Sequence, residues 1–144
     1  MDSKDTIELL KECDSGTKMA VSSIDDVLDK VQDEKFKQLL IEFKDTHTKL
    51  GNEIHGILTS NNEEDKEPDP IAKSMSWIKT NVMMVMKESD KTIADLMTDG
   101  CNMGEKSLSR YLNQYAAADE KSKRLCKELI ACEEKFAQDI RCYL

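Results

Sequence analysis

Apolar residues recur every three or four positions through almost the whole of this 144-residue chain. Such spacing places them along one face of an α-helix, whereas a half-buried strand would show strict alternation. Only two prolines, Pro68 and Pro70, interrupt the pattern, and both lie in an acidic stretch. The periodicity therefore predicts an all-α protein, with helices over residues 6–31, 34–59, 70–88, 91–115 and 120–142.

Two segments of the chain occur twice. The sequence "CDSGTK" at residues 13–18 resembles "CNMGEK" at residues 101–106, and "DEKFKQLL" at residues 33–40 resembles "DEKSKRLC" at residues 119–126. The copies are 88 and 86 residues apart, so the first two helices match the last two. Self-similarity of this kind is typical of a repeated structural unit.

The repeat predicts two copies of one helical hairpin, residues 5–59 and 90–144, related by a pseudo-twofold axis. The crossover between them, residues 60–89, is long enough to run the length of a bundle, so we expect the helices on either side of it to be parallel. Gly16 and Gly104 occupy equivalent positions, and we interpret both as points of close helix approach. The expected fold is a four-helix bundle whose crossover carries a fifth helix.

Charge and hydropathy limit the partners of the chain. It carries 29 acidic and 21 basic residues, a net charge of −8, and no basic cluster interleaved with aromatic residues. A phosphate backbone would be repelled, so we expect no nucleic-acid partner. The longest apolar run, residues 82–86, is too short to cross a bilayer, and the N-terminus has no secretory pattern. We therefore expect no membrane association and a cytoplasmic location.

The cysteines follow neither a disulfide nor a zinc spacing, because their number is odd and no Cys-x-x-Cys pair occurs. We interpret them as reduced thiols at apolar positions, where free cysteine is common. No spacing rule places a cysteine beside a histidine, and no other catalytic motif is present. The five residues are Cys13, Cys101, Cys126, Cys132 and Cys142.

Polar residues interrupt the apolar seams near the middle of four helices. Asp14, His47 and Glu133 lie on the seams themselves, and Glu105 lies one position off. Two interpretations are open. The residues form a buried polar network that sets helix register, or they are ligands of iron or another divalent metal. We favour the polar network.

Three stretches resemble a bacterial ferritin-like domain family of unknown function: "CDSGTKMA" in the first helix, "GEKSLSRYLNQYAAADE" at residues 104–120, and the helix around Trp77. The resemblance covers nearly the whole chain, which we interpret as one domain over residues 1–144. It implies a ferritin-like four-helix bundle in which a crossover joins two hairpins, and it brings no established activity.

The resemblance also raises the question of metal. Ferritin-like proteins hold two metal ions with single Glu residues and two Glu-x-x-His pairs. Here Lys44 stands three residues before His47, and Ile130 stands three before Glu133, so both pairs are broken. Any metal site would therefore be incomplete, and we expect no tightly held two-metal cluster.

The helix over residues 70–88 has an apolar surface broader than one bundle face can cover. We expect its outward residues to contact a second copy of the chain in a dimer, and these are Met75, Trp77, Met84 and Met86. The sequence thus favours a non-enzymatic module that self-associates or binds another protein. The alternative is a carboxylate-bridged metal protein, for iron storage or redox chemistry, with the incomplete site described above.

Overall fold

The computed structural model describes residues 3–63 and 89–144, and four α-helices make up most of these two segments. The helices are α1 (Lys4–Val27), α2 (Glu34–Ser60), α3 (Asp90–Gln114) and α4 (Glu120–Asp139). No strand occurs in either segment, which confirms the all-α prediction for this part of the chain. The expected helix over residues 70–88, with its methionines and Trp77, lies outside the described residues.

Helices α1 and α4 end earlier than the apolar periodicity predicted. Short 3-10 turns follow them, Leu28–Lys30 after α1 and Arg141–Tyr143 after α4. The tighter turn is a common way to end an α-helix. Val31, which follows the turn after α1, is buried. None of the four helices is both long enough and apolar enough to span a membrane.

The helix caps reproduce the sequence repeat. Ser3 and Ser89 each accept a hydrogen bond from a backbone N–H three residues further on, at 3.2 Å, and Asp33 and Asp119 do the same at the start of α2 and α4. In both pairs the equivalent residues are 86 positions apart. The sequence predicts Asp5 as the cap of α1, and this prediction is wrong, because Ser3 is the N-cap and accepts from the N–H of Thr6.

The core consists of two apolar clusters, one at each end of the bundle. The first cluster joins the ends of α1 and α4 to the beginnings of α2 and α3; it includes Ile24, Phe36, Ile93 and Phe136. The second cluster joins the opposite ends; it includes Leu10, Ile54, Leu108 and Leu125. Helices α2 and α3 therefore run in the same direction, as predicted, and α1 and α4 run against them.

Each hairpin binds the turn of the other through the first residues of its own first helix. The carboxylate of Asp90 accepts hydrogen bonds from the backbone N–H groups of Gln32 and Asp33, at 2.8 and 2.9 Å. In the reverse direction, the carboxylate of Asp5 accepts from the N–H of Ala117 at 3.0 Å. Bonds to an ionised carboxylate are stronger than neutral ones. They hold the two hairpins together at both ends of the bundle.

The two equivalent glycines differ in their surroundings. A Cβ atom on Gly104 would lie 3.3 Å from the carboxyl group of Glu133, so the predicted close approach is confirmed there. The prediction is wrong for Gly16, because no atom of another helix lies within 4 Å of its Cβ position. The close approach of α1 to α2 occurs instead at Gly51, whose Cβ would lie 3.0 Å from Oγ1 of Thr17.

We expect Gly16→Ala to raise the free energy of unfolding by about 0.5–1 kcal/mol, because alanine costs less backbone entropy in a helix and nothing obstructs its methyl group. Gly104→Ala is the matched variant, and it should gain less because its Cβ presses on Glu133. Urea unfolding measures both. Equal gains in the two variants would contradict the close packing at Gly104.

Candidate functional site

A polar layer separates the two apolar clusters. Asp14, His47 and Glu133 are 2%, 1% and 7% exposed, so their predicted inward orientation is confirmed. Along the sequence, His47 falls between Phe43 of the first cluster and Leu50 of the second. We call Asp14, Thr17, His47 and Glu133 the polar layer, since all four are buried polar residues of the bundle interior.

The centre of the polar layer is a contact between α2 and α4. Nε2 of His47 lies 3.0 Å from Oε1 of Glu133, and Nδ1 lies 3.0 Å from the carbonyl oxygen of Phe43. A carbonyl oxygen only accepts hydrogen bonds, and so does an ionised carboxylate. When Glu133 is a carboxylate, both ring nitrogens are donors and His47 is an imidazolium.

Electrostatics support the same protonation state. Burial disfavours a charged ring, and by itself it would lower the pKa of His47. Hydrogen bonds to Cys132 and Glu133 and the negative charge of Glu133 outweigh burial, and they raise the pKa from 6.5 to about 10. The imidazolium is thus the form present at neutral pH.

The sequence did not place Cys132 beside His47. Its Sγ lies 3.8 Å from Nδ1 of His47, and the residue is only half-buried. No spacing rule relates two residues on different helices, so the pair was invisible to motif searches. One signal was available: Cys132 directly precedes Glu133, which is the repeat equivalent of His47 at an offset of 86.

Helix α3 brings two further groups towards Glu133. Cys101 is buried. Its burial raises the pKa of its thiol far above the usual range, and the charge of Glu133 and a hydrogen bond to that carboxylate act in the same direction. Glu105 is half-buried. Its burial, followed by the charges of Glu134 and Glu133, raises its pKa. Cys101 is therefore a neutral hydrogen-bond donor, and Glu105 is a half-buried carboxyl group that feels the negative charges of Glu134 and Glu133.

Asp14 faces a different side of the layer. One of its carboxylate oxygens lies 3.3 Å from the ammonium of Lys18, one helical turn further along α1. Both line an open groove of about 580 Å³ between α1 and α2, together with His47 and the exposed His55. The groove is rich in carboxylates, since Asp25 also lines it.

The four predicted ligands are therefore only partly brought together. His47 contacts Glu133, Glu105 approaches that pair from α3, and Asp14 pairs with Lys18. Within residues 3–63 and 89–144, no three His, Cys, Asp or Glu side chains are arranged to hold a metal ion. A cation bound at His47 would have to replace one of its two hydrogen bonds.

Comparisons with known proteins bear on the fold alone. No family model matches the chain, and no curated protein matches it. It is similar to the crystal structure of a DUF305 fragment from Deinococcus radiodurans, with a TM-score of 0.77 and 10% sequence identity. The match covers 98% of this chain and 95% of that one. The likeness supports the helical fold, while membership of a ferritin-like family stays a prediction.

The raised pKa of His47 predicts a pH-dependent stability. An unfolded histidine has a pKa near 6.5, so the folded chain holds one extra proton between pH 6.5 and about 10. The stabilisation is complete below pH 6.5 and is lost as the pH rises towards 10, by at most about 1.4 kcal/mol per pH unit. Urea unfolding across this range measures it.

The control separates His47 from other groups that titrate in alkali, including Cys101. In His47→Gln, the part of the fall in stability that the imidazolium causes should disappear. The difference in the free energy of unfolding between the native chain and this variant should therefore shrink as the pH rises. His55→Gln, at an exposed position, should leave the curve unchanged. Parallel curves for the native chain and His47→Gln would contradict a charged His47.

Proposed function

We propose that this protein is a non-enzymatic helical bundle that acts by self-association or by binding another protein. One observation carries the proposal. Both ring nitrogens of His47 contact acceptors inside the protein, and the side chain is 1% exposed. Its hydrogen-bonding capacity is used within the bundle, as in buried polar networks that set helix register. This supports a structural role for the His47–Glu133 pair.

We propose further that association involves the apolar surface of residues 70–88, at Met75, Trp77, Met84 and Met86. These residues lie outside the described segments, so the support comes from the sequence. Its apolar residues would form a helix surface broader than one bundle face can cover. Large contiguous apolar surfaces mark interaction sites, and methionine adapts well to protein partners. The expected partner is a second copy of the chain.

Sedimentation velocity at high micromolar concentration tests this association. We expect the native chain to be dimeric, and Met84→Glu or Met86→Glu to shift it towards monomer without loss of helicity by circular dichroism, because a charge is costly in a dry interface. Met103→Glu is the matched control, since Met103 is 54% exposed on α3. A monomeric native chain would end the self-association proposal and leave binding to another protein.

The metal-protein alternative has one supporting observation, the coupling of Glu105 to Glu133 beside His47. Metal content after purification without chelator, followed by loading with ferrous iron or zinc, tests it. We expect no stable binding and a destabilised His47→Ala. Two equivalents that survive dialysis and are lost in His47→Ala, with a raised melting temperature in the native chain, would favour the metal protein.

A further inference from the structure

We propose that Cys13 and Cys126 form a disulfide that links the first hairpin to the second. This modification site goes beyond the proposed function, which requires no chemistry at any cysteine. Cys13 lies on α1 and Cys126 on α4, so the bond joins the two halves of the bundle. Two independent features support it: the register of α1 against α4, and the contacts of the two thiols.

Helices α1 and α4 are parallel, and a hydrogen bond joins their first residues. The backbone N–H of Asp119, the N-cap of α4, donates to Oγ1 of Thr6 at 2.8 Å. Cys13 lies seven residues beyond Thr6, and Cys126 lies seven residues beyond Asp119. Seven residues are close to two helical turns, roughly 10.5 Å along the helix axis. The two cysteines therefore lie at the same height in the bundle, on the sides of α1 and α4 that meet.

The contacts of the two thiols agree with this register. Both residues are 0% exposed, and both belong to the second apolar cluster. Their side chains hydrogen-bond to each other, and the thiol of Cys126 also donates to the carbonyl oxygen of Leu108 on α3, at 3.6 Å. The two sulfurs are therefore neighbours in the reduced protein. Such a contact is the starting geometry for a disulfide, whose S–S bond is about 2.05 Å long.

The other three cysteines, all in the described segments, have different hydrogen-bond partners. Cys101 bonds to a carboxylate of the polar layer, and Cys132 contacts the imidazole of that layer. Cys142 donates to a backbone carbonyl oxygen three residues earlier in the chain. Cys101 is the repeat equivalent of Cys13 at an offset of 88, and it is also buried. It is therefore the matched control for a buried thiol whose hydrogen bond goes to a carboxylate.

The oxidant is a low-molecular-weight disulfide, which reaches the pair when the contact between α1 and α4 opens transiently. One cysteine sulfur attacks this small disulfide, so that a mixed S–S bond forms, the S–S bond of the oxidant breaks and one thiol leaves. The second cysteine then attacks the protein sulfur of the mixed disulfide, and the second thiol leaves. The protein loses two electrons, which reduce the small disulfide, and its two thiol protons pass to the two leaving groups.

The disulfide closes a loop over residues 13–126, which includes the crossover between the hairpins. A cross-link across so long a loop restricts the unfolded chain far more than the folded one, and it therefore stabilises the fold. It also prevents the two hairpins from separating, whereas noncovalent contacts alone hold them together in the reduced form. The stability of the bundle thus depends on the redox state of this one pair of thiols.

Disulfide mapping of the full native chain tests the proposal. The reduced protein is incubated with oxidised glutathione in the absence of denaturant, the remaining free thiols are blocked with iodoacetamide, and the digest is analysed by mass spectrometry. We expect an intramolecular linkage between Cys13 and Cys126, together with a melting temperature raised by roughly 5–10 °C. Dithiothreitol should reverse both changes.

Three variants separate this pair from the other thiols. Cys13→Ala and Cys126→Ala should each abolish the rise in melting temperature, whereas Cys101→Ala should retain both the linkage and the rise. Circular dichroism checks that the variants are folded; if either variant of the pair is not, mapping of the native chain decides. The proposal is overturned if native protein in excess oxidised glutathione yields no peptide linking Cys13 to Cys126, or links mainly other cysteines or separate chains.

Discussion

The hydrogen bond between the His47 imidazolium and the Glu133 carboxylate is the interaction on which the rest of the bundle depends. Apolar clusters tolerate small displacements, because one methyl group packs nearly as well as another. A buried ion pair does not, since a shift of α2 against α4 would leave a charge unpaired in the interior at a cost of about 3–5 kcal/mol. Such a pair favours one axial register of the two helices, and Gly104 lies against its carboxylate, which is 3.3 Å from where a Cβ would be.

The pair also shows how a repeated hairpin can diverge at its centre. His47 and Glu133 are equivalent positions, 86 residues apart, and they contact each other. Equivalent residues meet only close to a pseudo-twofold axis, where an identical residue would face its own copy. Two carboxylates or two imidazoliums would repel there, whereas one of each attract. The opposite charges of His47 and Glu133 therefore make this contact attractive.

The two halves also differ around the layer. In the second hairpin Glu133 packs on Gly104, whereas in the first hairpin nothing lies close to Gly16, and a groove opens between α1 and α2. Cys132 approaches His47 because it sits beside Glu133 on α4. The same pair that joins α2 to α4 therefore also brings one half-buried cysteine next to His47.

The sequence by itself determined the four helices of the two hairpins and the burial of Asp14, His47 and Glu133, because three-four periodicity is a local property of the chain. The length of the crossover also favoured the parallel course of α2 and α3. It did not determine where α1 and α4 end or which residue caps α1. Only the tertiary structure decided that His47 meets Glu133 and Cys132, that Asp14 turns to Lys18, and that Gly16 has no neighbour. Those outcomes depend on how far each helix is rotated about its own axis. The line of apolar residues along a helix fixes that rotation only to within the width of its apolar face.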